Sequence, residues 1–145
     1  AQKLSFEDQA IGLAAAVADF RAARPASGKW RRQGRQTLLL RATPDIIGRL
    51  PRRPGQLVVG FAVESARVVQ RARQKLRQKR LDLVLAQRAN GTGAPFGRHP
   101  VQAWLLSRNG EVASLGTITK PQAARTLLDK IEALWYGQPE RARRT

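Results

Sequence analysis

A carboxylate and a lysine lie close together after the first apolar segment of this sequence. Asp19 follows the apolar run 10–17 and is separated from it only by Ala18, and Lys29 lies in the Pro- and Gly-containing loop after it. Such a pair suits a nucleotide whose metal or ribose meets the carboxylate and whose phosphates are neutralised by the lysine. Alternatively, Asp19 caps the turn after the strand and Lys29 is a solvated surface residue. Spacing alone leaves both interpretations open.

A second pair of lysines, Lys75 and Lys79, stands four residues apart. In a helix they share one face and repel each other by a few tenths of a kcal/mol. An anion bound between them would remove the repulsion and add charge-assisted hydrogen bonds. The alternative is two solvated lysines on a helix that is basic throughout.

The composition excludes several other kinds of chemistry. The chain has no cysteine, which excludes disulfides, thiolate zinc sites and a cysteine nucleophile, and its one histidine, His99, excludes a histidine metal cluster. A formal charge of +17 with 42% apolar residues indicates a basic protein with a real core rather than a disordered tail. At 145 residues we expect a single domain over 1–136 and a basic tail over 137–145.

Apolar segments alternate with a helical pattern, which predicts the fold class. The run 10–17 is interpreted as a buried strand, although its alanines also suit a helix, and strands are predicted over 57–63 and 81–86. A helix is predicted over 65–80 with Val69, Ala72 and Leu76 on its apolar stripe. This order predicts an α/β fold, a Rossmann-like three-layer sheet that is mostly parallel.

Local turn and capping signals complete the predicted elements. Asn109-Gly110 predicts an antiparallel hairpin of strands 101–107 and 111–117, and Thr119 with Gln122 predicts a capping box that opens a helix over 121–136. After the apolar residues 37–40, Thr43-Pro44-Asp45 predicts the start of a short helix over 44–50.

The topology indicates where a ligand would bind. In a doubly wound sheet, ligands lie beyond the carboxyl ends of the strands. The polar positions there are Asp19, 41–45, 61–65 with the carboxylate of Glu64, and 87–99. The apolar run 10–17 is far too short to span a bilayer and the chain does not open like a signal peptide, so we expect no membrane span and a cytoplasmic location.

Five blocks of sequence occur in the order and spacing of one known family. They are the blocks 14–20, 28–29, 43–47, 59–65 and 75–84. Over residues 10–132 the chain resembles the ligase domain of bacterial phosphopantothenoylcysteine decarboxylase/phosphopantothenate-cysteine ligase.

The resemblance implies a reaction and its partners. It implies a usually dimeric Rossmann-like domain that uses CTP and Mg²⁺ to activate 4'-phosphopantothenate as an acyl-cytidylate, which the amine of cysteine then attacks in coenzyme A synthesis. Whether CTP or ATP is preferred is left open. FMN is implied only if a decarboxylase domain is attached.

The resemblance also carries over site residues. Asp19 and Lys29 match residues with a catalytic role, and Lys29 approaches the nucleotide phosphates from a loop. The full set that matches nucleotide-binding positions is Ala15, Asp19, Lys29, Pro44, Asp45, Ile46, Ile47, Phe61, Lys75 and Lys79. For the two lysines on the helix, the resemblance favours phosphate binding. The metal ligands remain unknown.

The chain departs from the family pattern at several positions. Arg80 and Gln87 each stand where the family has Asn, and His99 and Pro100 lie in a loop that often carries Asp and Asn. These departures fall at positions that the resemblance relates to binding of the pantothenate part of the substrate. The family's ligase domain also begins with an earlier strand, a phosphate loop and a helix, so we expect this chain to be a piece of a longer protein or a shortened relative.

A nucleic-acid-binding module is the alternative function. It is motivated by the charge of +17, by the basic runs 30–32, 52–53 and 141–144, and by the arginine-rich helix predicted over 65–80. Against it, aromatic residues make up only 6% of the chain, and no glycine-aromatic motif of a single-strand RNA platform is present. The ligase is therefore our first hypothesis and nucleic-acid binding the second.

Overall fold

The structure is a computed structural model, and it describes residues 10–13, 18–29, 31–32, 34–89, 97 and 99–137. These residues contain seven strands and two helices. In chain order they are β1 (Ala10–Leu13), β2 (Phe20–Ala22), β3 (Leu40–Ala42), β4 (Leu57–Glu64), α1 (Val68–Gln78), β5 (Leu83–Arg88), β6 (Val101–Ser107), β7 (Val112–Ile118) and α2 (Lys120–Tyr136). Contacts group the chain into two units, 15–50 and the remainder. The predicted tail beyond residue 137 lies outside the described residues.

The larger unit is built on a five-stranded mixed sheet in the order β1-β4-β5-β6-β7. β1 and β5 pair in parallel with β4, whereas β6 pairs antiparallel with both β5 and β7. The α/β class and the C-terminal hairpin are confirmed. In the hairpin turn, Gly110 has φ 95° and its N–H donates to Ser107 O at 3.1 Å, a conformation that favours glycine.

The two helices cover opposite faces of this sheet. On one face Val59, Leu83 and Leu105 pack against Leu127 of α2. Their chain neighbours Val58, Val84 and Leu106 are fully buried on the other face, because side chains alternate along a strand. There α1 lies against β4, β5 and β6, and it buries Val68, Ala72 and Leu76. The predicted three-layer architecture is confirmed, with Val68 rather than half-buried Val69 in the buried stripe.

One close contact inside the sheet favours glycine. A Cβ added to Gly60 would lie 2.6 Å from Cδ1 of Leu81, and Leu81 is completely buried just after α1. Because glycine has no side chain, position 60 leaves room for Leu81, which follows the end of α1.

α1 begins later than predicted because β4 extends further. The carbonyl of Glu64 accepts a hydrogen bond from Ala89 N at 2.9 Å, which keeps Glu64 in the sheet. Residues 65–67 then reverse the chain, with Arg67 in the left-handed region at φ 51°, and the helix starts at Val68. The predicted start at Ser65 is therefore wrong.

The C-terminal end of α1 also differs from the prediction. Arg80 has φ 49°, and Leu81 N donates to Leu76 O at 2.9 Å, so the chain closes in a Schellman-like turn in which Arg80 takes the place usual for glycine. Leu81 thus belongs to the helix end. The predicted strand 81–86 is shifted to Leu83–Arg88.

Asp82 joins three elements at the edge of the sheet where β4 and β5 begin. Its Oδ2 accepts from Val58 N at 2.8 Å, its own N donates to Val58 O at 2.8 Å, and its carbonyl accepts from Arg108 N at 2.9 Å. Its Oδ1 also pairs with the Arg108 guanidinium at 3.1 Å. One carboxylate therefore fixes the start of β4, the approach to β5 and the exit from β6.

Two arginines bind the carbonyls left open at the end of α1. Arg52 donates to the carbonyls of Lys79, at 2.6 Å, and Arg80, and Arg108 donates to Arg80 O at 2.8 Å. Cations are favourable here because the C-terminal end of a helix carries partial negative charge. Burial lowers the pKa of Arg52, and Asp82 opposes that shift.

α2 begins with the predicted capping box and is tied to the β6–β7 turn. The Thr119 side chain accepts from Gln122 N, and the Gln122 side chain accepts from Thr119 N. Further along, Lys130 Nζ lies 2.6 Å from Glu111 Oε2. This hydrogen bond and the lysine charge lower the pKa of Glu111, which is solvent-exposed.

The smaller unit, residues 15–50, contains the antiparallel ribbon β2–β3. The predicted helix over 44–50 is wrong, because the structure has turns there with long bonds, Arg49 N to Ile46 O and Leu50 N to Ile47 O, both 3.3 Å. Thr43 does not cap a helix; its hydroxyl donates to Ala18 O at 2.6 Å. Pro51 disfavours helical backbone at Leu50, so the turns cannot extend.

We expect Asp82→Ala to lower the free energy of unfolding by about 1.5–3 kcal/mol, because it leaves Val58 N–H without its charged acceptor and removes the Arg108 pair. Chemical denaturation measures the change. Asp129→Ala, at an exposed position of α2, serves as the control and should cost less than about 0.5 kcal/mol. Equal costs in the two variants would contradict the role given to Asp82.

The Glu111–Lys130 pair predicts a pH-dependent contribution to stability. Because the pKa of Glu111 is lowered in the folded state from its ordinary 4.5, the contribution is complete above that value and is lost as the pH falls below it. The stability advantage of wild type over Lys130→Met, measured by melting temperature, should therefore shrink as the pH falls from neutral. Arg125→Met, on the same helix, should show no such pH trend.

Candidate nucleotide site and family

Two of the predicted site residues meet directly at β4. Lys75 Nζ, from the middle of α1, donates to the carbonyl oxygen of Phe61 at 2.9 Å. The Phe61 side chain is 37% exposed in the carboxyl-terminal half of β4. The ammonium group has two further N–H donors, so it can keep this contact and also bind an anion.

Lys79 lies one turn further along, at the C-terminal cap of α1. It is half-buried, and its carbonyl oxygen accepts from Arg52 at 2.6 Å. Its backbone therefore takes part in ending the helix. A role of its ammonium group in phosphate binding stays a prediction.

The carboxyl ends of β4 and β5 carry contacts that the sequence analysis did not identify. Glu64, expected as a strand-end carboxylate, pairs with Arg71 at 3.1 Å. Beside it, the guanidinium of Arg88 lies 5.8 Å from the ring centroid of Trp104, a cation–π contact. The sequence separation of Glu64 and Arg71, across the turn from β4 to α1, could have suggested their ion pair. The cation–π contact of Arg88 with Trp104 depends on the register between β5 and β6, which the sequence does not reveal.

The remaining predicted site residues belong to the unit 15–50. Asp19 and Lys29 are exposed, and Asp19 O accepts from Thr43 N at 2.9 Å, which places Asp19 beside the turn 44–47. Within this turn Asp45 Oδ1 accepts from Gly48 N at 3.1 Å. Pro44 and Ile46 are exposed and Ile47 is half-buried, whereas Ala15 lies outside the described residues.

The structure thus gives two groups of site residues, one in each unit. Asp19 and the turn 44–47 are neighbours in one, and Phe61 and Lys75 are neighbours in the other. Their convergence on one nucleotide stays a prediction. Across the described residues, no three His, Asp or Glu side chains form a group that could hold a metal ion.

The departures at 80, 87 and 99 fall in different surroundings. Arg80 occupies the left-handed position at the end of α1, where Asn is favoured over most residues for conformational reasons. This departure therefore concerns how the helix ends. Gln87 is half-buried near the end of β5 and His99 is exposed just before β6.

Comparisons with known proteins agree with this architecture. The family model described as DNA/pantothenate metabolism flavoprotein C-terminal domain matches residues 1–134. This chain belongs to that family. A Bacillus subtilis coenzyme A biosynthesis bifunctional protein CoaBC is 34% identical over 130 residues, covering 88% of this chain and 32% of that protein.

Two further family relatives are similar over most of the chain. A cysteine/cysteine sulfinic acid decarboxylase from an unknown prokaryotic organism is 32% identical over 125 residues, covering 84% of this chain and 35% of that protein. The crystal structure of the C-terminal domain of a CoaBC protein superposes with a TM-score of 0.55 at 31% identity, covering 68% of this chain and 48% of that one.

This member of the family spans about a third of the length of these curated relatives. In the described part of the chain, neither helix has the length and apolar character to span a membrane.

The conformation of Arg80 generates a test of the helix end. Arg80→Gly should raise the free energy of unfolding by about 1 kcal/mol, because glycine adopts positive φ without a Cβ clash. Arg77→Gly, inside α1, should lower it by about 1 kcal/mol. Chemical denaturation of the two variants measures both, and a loss of stability in Arg80→Gly would contradict the conformational explanation.

Proposed function

We propose that this chain is a phosphopantothenate-cysteine ligase domain that uses CTP. Membership of a family whose relatives include bifunctional coenzyme A biosynthesis proteins supports this reaction class. The single structural observation that carries the proposal is the hydrogen bond from Lys75 Nζ to Phe61 O, which joins two matched residues at the carboxyl-terminal half of β4. Sheets of this kind bind nucleotides beyond the carboxyl ends of their strands.

The proposed reaction has two displacements. A carboxylate oxygen of 4'-phosphopantothenate attacks the α-phosphorus of CTP, the bond to the β-phosphate oxygen breaks, and pyrophosphate leaves. The amine of cysteine then attacks the acyl carbon, loses a proton and expels CMP, which gives the amide. Both steps need stabilisation of developing negative charge more than a protein nucleophile.

In this proposal the protein contributes preplaced cations. Lys75 is held by the Phe61 carbonyl and turns its remaining donors to the nucleotide phosphates, while Phe61 lies beside the base. Holding the lysine before the nucleotide arrives reduces the ordering that binding requires. Lys79 and Lys29 supply further positive charge, the latter from an exposed loop segment.

The unit 15–50 contributes the other proposed contacts. Asp19 and the backbone of 44–47, together with Ala15, bind the nucleotide. Mg²⁺ characteristically takes one or two carboxylates with phosphate oxygens and water, so a single exposed carboxylate such as Asp19 is compatible with a metal carried by the nucleotide. The metal neutralises phosphate charge when it is bound.

The proposed partners follow from the resemblance and from one surface. Phe20 and Leu40 of the ribbon are 61% and 50% exposed and the adjacent Leu39 is 73% exposed, which supports association as a homodimer. FMN belongs to the proposal only if a decarboxylase domain is attached. In this proposal the protein takes part in coenzyme A synthesis in the cytoplasm.

We expect Lys75→Gln to weaken Mg²⁺–CTP binding by roughly tenfold to a hundredfold, because it removes a charge-assisted contact with phosphate of about 1.5–3 kcal/mol. Titration calorimetry measures the dissociation constant, and ATP in place of CTP tests the choice of nucleotide. Lys29→Gln is expected to behave similarly.

Two comparisons make this result specific. Lys75→Arg keeps the positive charge and should recover part of the affinity, whereas Arg125→Gln, on the opposite face of the sheet, should bind like wild type. Pyrophosphate release that depends on 4'-phosphopantothenate and cysteine tests the reaction itself. A wild-type chain that binds neither nucleotide would overturn the proposal.

A further inference from the structure

The positive charge of the larger unit is concentrated on one of its two helices. Residues 67–80, which comprise α1 and its flanks, contain seven Lys or Arg and no Asp or Glu. α2 is nearly balanced, with Lys120, Arg125 and Lys130 against Asp129 and Glu132. Because the helices lie on opposite faces of the sheet, one face is strongly basic and the other is not.

The solvent side of α1 consists only of arginine and glutamine. We call it the outer face of α1, and its exposed residues are Arg67, Gln70, Arg71, Arg73, Gln74, Arg77 and Gln78. Every side chain there is a hydrogen-bond donor, and the guanidinium groups match phosphate oxygens in a two-pronged geometry.

Most of these arginines are not neutralised. Arg71 pairs with Glu64, but Arg73 and Arg77 have no ion-pair partner among the described residues. They stand one helical turn apart and repel each other. Two adjacent phosphates would relieve this repulsion and give each guanidinium an acceptor.

The surface favours a duplex over a single strand or a protein partner. The outer face has no apolar or aromatic side chain to stack on bases or to pack against a protein core. Trp104, on the same side of the sheet, is half-buried and its ring is near Arg88. An exposed α-helix rich in donors fits the major groove of B-form DNA and its phosphates, whereas the major groove of A-form RNA is too narrow.

We propose that the outer face of α1 is a contact surface for the phosphate backbone of double-stranded DNA. The surface lies on a different side of α1 from Lys75. Arg73 and Arg77 are each two residues from Lys75, which places them about 160° around the helix from it. Binding depends on phosphate contacts and is independent of base sequence.

The test is fluorescence anisotropy with a labelled mixed-sequence duplex of about 20 base pairs, titrated with the full chain between about 50 and 200 mM salt. Wild type should bind with a steep salt dependence. Arg73→Gln/Arg77→Gln should weaken binding by about tenfold and lower the slope of log K against log salt by about two, because two phosphate contacts are lost.

The matched control compares single substitutions that change the net charge equally. Arg77→Gln should weaken binding several-fold, whereas Arg125→Gln, exposed on α2, should leave it within about twofold of wild type. Equal losses in these two variants would show that only the net charge matters and would overturn the proposal. Absence of duplex binding, or tighter binding of a single strand of the same length, would overturn it as well.

Discussion

The carboxylate of Asp82 is the constraint on which the arrangement of the larger unit depends. It accepts from the N–H of Val58 in β4, pairs with Arg108 just after β6 and lies directly before β5. Its side chain is only 15% exposed, so water cannot readily replace these contacts. The three strands are therefore aligned at the edge where α1 returns the chain to the sheet.

That alignment also fixes the position of α1. At the C-terminal end, Arg52 and Arg108 bind its last carbonyls, and Arg108 is the same residue that pairs with Asp82. In the middle of the helix, Lys75 donates a hydrogen bond to the backbone carbonyl of Phe61 in β4. A helix held at two places presents its solvent side in one orientation, which bears on both the nucleotide proposal and the DNA proposal.

Local signals in the sequence predicted the elements that local chemistry determines. Asn109-Gly110 specified the hairpin turn, and Thr119 with Gln122 specified the start of α2. Both ends of α1 were missed because arginines, Arg67 and Arg80, adopt the left-handed conformation that normally indicates glycine or asparagine. Long-range bonds from Ala89, Arg52 and Arg108 maintain these ends, and no short window of sequence contains them.

For the same reason, the sequence indicated candidate site residues but not the contacts that they make. Spacing could not separate a solvated Lys75 from a functional one, and only the resemblance favoured function. The contact with Phe61 depends on how α1 packs on β4, over 14 residues of separation. The turn at 44–47 was identified as a position but not as a conformation, because its Pro and Asp suit a tight turn as well as a helix start.

The close approach of Leu81 to Gly60 has a consequence for the family's sequence variation. A methyl group at position 60 would lie 2.6 Å from Cδ1 of Leu81, so the buried Leu81 side chain would have to shift. We therefore expect a homologue with alanine at position 60 to carry a smaller residue at position 81, such as alanine or valine. An alignment of relatives should show these two positions covarying, although 21 residues separate them.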